Sequence, residues 1–134
     1  MTDSGGPMRY VPSLLFLLAA LPACGRPAPG ALRTYTADAP ELAMASIDPA
    51  SGAWESMPWT GTDWLPYGPR AQLQVTHGLG RLPRTVLVYL AFDELGSDPA
   101  CAAGDLARVI EVTDTTVTVW NDTNGIYFAR IVVQ

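Results

Sequence analysis

The side chains that could do chemistry in this sequence are few. Histidine occurs once, at His77, and cysteine twice, at Cys24 and Cys101. A zinc site draws on three or four such ligands, so no metal centre is expected. Nucleophilic catalysis would pair His77 with a serine, but Ser51 and Ser97 sit in plain turns rather than in a nucleophile-elbow pattern. A histidine at a strand end more often serves the structure, so no enzyme and no cofactor are expected. The acids Asp93, Glu94, Asp98 and Asp105 crowd one stretch, DELGSDPACAAGD, without the spacing of a calcium loop. They read as solvated loop acids. The paired carboxylates of a glycosidase need a cleft, which a domain of roughly 95 residues seldom provides.

Aromatic residues offer binding rather than catalysis. In WESMPWTGTDWLPYG, Trp54, Trp59 and Trp64 stand five apart with Tyr67 behind them. Rings set among Gly, Pro and Ser can stack on sugars or anchor a partner. Their other use is to close the open end of a small core. Trp59 and Trp64 are therefore candidate ligand contacts. Charge narrows the partners further. All 8 basic residues are arginine, and 13 acids bring the formal charge to −5. None of the arginines cluster, which excludes the basic stripe that nucleic acid requires. The same distribution argues against direct adhesion to an acidic membrane surface.

The N-terminal stretch addresses location. Residues 14–21, LLFLLAAL, are too few to span a bilayer as a helix, which takes about 20 apolar residues. They fit the apolar region of a secretory leader, with Arg9 as its positive flank. The start is open between Met1 and Met8, because TDSGGP carries Asp3 and no base, and a chain begun at Met8 has a more ordinary leader. Residues Leu21, Pro22, Ala23 and Cys24 resemble the lipobox of bacterial lipoproteins: apolar, variable, small, cysteine. The resemblance implies that the Cys24 thiol is lipidated and that Cys24 becomes the mature N-terminus. Two acyl chains hold a protein on a membrane where one does not. The implied location is the cell envelope, and the outer membrane if the cell has one, since Gly25 stands where the family's retention aspartate would be. Cys101 is then left without an intramolecular partner and is expected as a buried small hydrophobe. A soluble secreted form would instead favour a Cys24–Cys101 disulfide.

The elements that must position these residues are strands. No stretch keeps helical periodicity over three turns. After the leader, 1–23, residues 24–40 are expected as the lipidated cysteine and a Pro/Ala/Gly-rich tether. The alternating stretch 32–36 leaves open that a first strand already begins there. Residues 41–134 are expected to fold as an all-β unit, a small antiparallel β-sandwich of about six strands. Leu73 and Val75 alternate with polar neighbours, as in a half-buried strand. Residues 84–92, RTVLVYLAF, suit a strand covered on both faces. Runs at 106–112, 116–121 and 126–133 follow, divided by Asp114-Thr115 and by Asn124-Gly125, the latter a type I′ hairpin signal.

Two such turns would pair Val112 with Val117, Ile110 with Val119, Val117 with Val132 and Trp120 with Ala129. They gather Ile110, Val112, Val117, Val119, Phe128 and Val132 on a core face. Trp120 and Tyr127 fall on the mixed opposite face, beside the 122–125 turn, as candidate ligand contacts where a ring can stack and polar turn groups can orient a ligand. QVTHGLGRLPRTVLVYL and LARVIEVTDTTVTVWNDTNGIYFARIVV resemble H-type lectin domains, over residues 54–133. Those are six-stranded sandwiches, usually trimers, that bind N-acetylgalactosamine-like sugars. The resemblance implies sugar contacts at Trp120 and Asn121, although the family's tryptophan in the last strand has no counterpart here. A similar HGLG…P pattern occurs in phage tail-fibre tips. The expected partners are thus the membrane, through the anchor, and a glycan or an envelope protein, with a homo-trimer implied by the resemblance. The expected function is an anchored carbohydrate-binding domain; the alternative is a structural or assembly lipoprotein with no small ligand.

Overall fold

The computed structural model describes residues 30–134. The leader, Cys24 and the N-terminal part of the tether lie outside the described residues. Ten strands form two facing sheets, a small β-sandwich. The strands are β1 Leu32–Tyr35, β2 Ser46–Ile47, β3 Trp54–Glu55, β4 Leu65–Tyr67, β5 Gln72–Thr76, β6 Val86–Ala91, β7 Ala100–Ala102, β8 Arg108–Val112, β9 Thr116–Trp120 and β10 Tyr127–Val133. The four-stranded sheet runs β1-β5-β9-β8; the six-stranded sheet runs β2-β3-β10-β6-β7, with β4 also paired to β10. All pairings are antiparallel except β1 on β5.

Alternation explains the core. Leu73 and Val75 of β5 and Val117 and Val119 of β9 point inward from the four-stranded sheet and are fully or almost fully buried. Val88 and Leu90 of β6, with Ala129, Ile131 and Val133 of β10, meet them from the other sheet. Tyr35 of β1 joins the same cluster, so residues 32–35 of the expected tether are strand, and the alternating stretch belongs to the domain.

Two of the expected registers meet different fates. The Asp114-Thr115 turn forms, and Val112 pairs with Val117. A bulge then displaces Ile110, so that Val109 rather than Ile110 lies opposite Val119. Ile110 and Val112 are exposed on this edge strand, not core. The Asn124-Gly125 hairpin does not form. Neither residue has the positive φ that a type I′ turn needs, and the chain there crosses from the four-stranded to the six-stranded sheet. β10 pairs with β3, β4 and β6, not β9, and its inward residues are Ala129, Ile131 and Val133 instead of Phe128 and Val132. Both faces of β10 are apolar enough to be buried, so alternation alone could not choose between them.

Candidate functional site

The outer face of the six-stranded sheet is where the tryptophan-rich stretch does its work. After Glu55 the chain keeps its place in the sheet for one more residue: the Ser56 N–H donates to the Ile131 carbonyl, and the Ile131 N–H donates to the Ser56 hydroxyl, both at 2.9 Å. Residues 57–64 then leave the sheet and roll over its outer face before β4 rejoins it. Met57 and Trp64 bury themselves against Ala91, with Tyr89 and Phe128 alongside. This second, smaller cluster covers part of the outer side of β6, as the apolar run in that strand implied. Gly96, at φ +71°, lies flat against the Trp64 indole, where any side chain would collide with the ring.

Beneath the loop sits Arg130, which is only 1% exposed. Its Nε–H donates to the Met57 carbonyl at 2.9 Å, and its Nη2 pairs with the Glu55 carboxylate at 2.6 Å. Its guanidinium lies 3.9 Å from the centre of the Trp59 ring and 5.7 Å from that of Tyr89. Trp59 also meets Tyr89 edge-on at 4.7 Å and Trp64 at 6.3 Å. Yet Trp59 is 53% exposed. A buried cation attracts the electron-rich face of an indole and limits its rotation. Thr60, Thr62 and Asp63 follow in the same loop and are exposed.

The other sequence candidates are placed differently. Trp120 is 8% exposed, on the outward side of β9. Its indole N–H donates to the Arg70 carbonyl at 3.1 Å, and the guanidiniums of Arg70 and Arg108 lie 5.4 and 5.6 Å from its ring centre. Asp122 pairs with Arg70 at 2.5 Å, and Arg108 pairs with Asp105 at 2.5 Å. Asn121 is fully buried: its amide donates to the carbonyls of Gly68 and Gly125, and its Oδ1 accepts from the N–H and hydroxyl of Thr123. It holds the crossing between sheets rather than facing solvent. Tyr127 is half-buried on the other sheet and meets Phe92 at a tilt, ring centres 5.7 Å apart. Trp120 and Tyr127 therefore do not share a sheet face. Trp64 is 2% exposed and presents no free ring.

His77 is buried beside Trp54, its Nδ1 accepting the Leu79 N–H at 3.2 Å, and it lines a cleft of about 300 Å³ with Leu42 and Ile47. Burial lowers its pKa from the ordinary histidine value and so favours the neutral ring. Burial pushes the Tyr67 phenol up, far above its usual range. Cys101, expected as a buried hydrophobe, is exposed on β7. Among the described residues no group of three or more His, Cys, Asp or Glu could hold a metal ion. Sequence reasoning missed Arg130, Tyr89 and Phe92. An arginine inside the apolar run YFARIVV was the one available signal, since a charge there must find a partner. Compared with known proteins, the chain matches no family model, no curated protein and no solved structure.

Proposed function

We propose that this chain is an envelope lipoprotein, anchored through Cys24, whose β-sandwich binds carbohydrate on the Trp59 face. The anchor rests on the apolar stretch and the residues Leu21, Pro22, Ala23 and Cys24. The observation that carries the binding half is the Trp59 ring, half open to water while Arg130 lies 3.9 Å from its centre. An exposed large ring that is already held needs little further ordering when a flat sugar face stacks on it. The hydroxyls and carboxylate of Thr60, Thr62 and Asp63 are suited to orient sugar hydroxyls.

Two measurements test the two halves. A glycan array probed with the whole chain in detergent should show saccharide binding that Trp59→Ala weakens about tenfold or more, with unchanged folding. An array with no signal would leave a structural envelope component as the better reading. For the anchor, Cys24→Ser should release the protein from the membrane fraction. A mature N-terminal peptide without lipid mass would refute it.

A further inference from the structure

We infer that the free edge of β7, with the cavity beside it, accepts an extended segment of a partner polypeptide that carries an aliphatic side chain and basic neighbours. This goes beyond carbohydrate binding and concerns a different class of partner.

Among the described residues β7 pairs with β6 alone, in unbroken register from Val88↔Ala102 to Leu90↔Ala100. The outer edge of a strand offers unpaired N–H and C=O groups, and proteins usually blunt it with charge, proline or a bulge. β7 is only 3 residues long and Pro99 stops it at one end, but Ala100, Cys101 and Ala102 carry no charge, proline or bulge within it. Their small side chains leave the backbone within reach. The opposite case is β8, the edge of the four-stranded sheet, which carries a bulge.

About 170 Å³ opens beside β7, lined by Leu90, Phe92, Leu106 and Tyr127 among others. That is well below the roughly 300–1,000 Å³ of small-molecule sites, and it suits one side chain. Phe92 at its mouth meets Tyr127 with ring centres 5.7 Å apart yet is 83% exposed, so its ring is open to a partner. Strand addition works through this combination: main-chain bonds along an edge supply affinity, and a pocket beside it selects a side chain.

Charge sets the partner's chemistry. Asp98 lines the cavity, and Glu94 stands in the same loop, both exposed. Asp93 is spent on the loop itself, accepting the Ser97 N–H at 3.1 Å, and Asp105 is paired with Arg108. Asp98 is the one charged residue that lines the cavity, so its wall carries a negative charge. A basic residue next to the aliphatic anchor complements it.

The test uses the whole chain in detergent and a labelled hexapeptide alternating lysine with leucine. Control peptides replace lysine with glutamate or methylate alternate backbone nitrogens. Fluorescence anisotropy follows binding, and the alkylation rate of the Cys101 thiol reports cover on β7. The lysine peptide should bind and slow alkylation at least fivefold, both controls should fail, and Asp98→Asn should weaken binding severalfold at low salt. Trp59→Ala should leave it unchanged, which separates this site from the carbohydrate face. Equal binding of either control, binding without protection of Cys101, or no binding at millimolar peptide would overturn the inference. So would a thiol already unreactive before peptide is added, or protected by self-association at high protein concentration, since the chain itself would then cover the edge.

Discussion

Two tryptophan–arginine clusters stand on different sheets. Trp120 lies among Arg70 and Arg108 at the end of the four-stranded sheet, and Trp59 lies on Arg130 over the six-stranded one. The pairing chemistry is the same in both. In the first, the arginines approach from the surface, Asp122 and Asp105 neutralise them, and the indole is closed in. In the second, the arginine is the buried member and the indole faces water. A cation–aromatic pair therefore becomes a structural plug or a presented ring according to which partner is inside. The sequence neighbourhood of Trp120, with its polar turn, looked like a site; the turn is instead consumed by Asn121 in holding the chain as it changes sheets.

The contrast predicts different costs. Trp120→Ala should destabilise the domain by about 3–5 kcal/mol, the range for deleting a buried tryptophan, and urea melts would measure it. A loss below about 1 kcal/mol would mean that Trp120 is not closed in. Arg130→Met keeps apolar bulk but leaves the Met57 carbonyl without its donor, for an expected loss of about 1–3 kcal/mol in the same melts. It should also free the Trp59 ring and broaden its NMR or fluorescence signature. Trp59→Ala should cost about 1–2 kcal/mol, between the values for exposed and desolvated cation–aromatic contacts, while weakening saccharide binding about tenfold or more.

The smallest effect belongs to His77. Its folded pKa lies below the unfolded value of about 6.5, because burial disfavours the charged ring. The unfolded chain then binds the proton first, and stability falls as pH drops through about 6.5 toward the folded pKa. Asp48 and Asp93, lowered by hydrogen bonds donated by the Ser51 hydroxyl and the Ser97 backbone respectively, act in the same direction only at more acidic pH. Thermal midpoints between pH 7 and 5.5 should decline in the wild type and flatten in His77→Asn. A parallel decline in the variant would show that His77 is not the group responsible.

What the sequence determined by itself was local. The alternation of Leu73 and Val75, the β6 apolar run and the Asp114-Thr115 turn made an all-β chain legible, with Val112 opposite Val117. Those features depend on neighbours a few residues apart, and side-chain period and turn chemistry act at that range. The tertiary structure decided which strands share a sheet. Residues 121–126 carry turn signals that serve a crossing as well as a hairpin, and β10 has apolar residues on both sides. Only packing against β5 and β9 could set Ala129 and Ile131 inward and so place Arg130 outward, beneath Trp59. The parallel pairing of β1 with β5 and the open edge of β7 were settled the same way, by contacts between segments far apart in the chain. Exposure of a ring is a property of what lands on it, and residues distant in sequence land on Trp120 but leave Trp59 open.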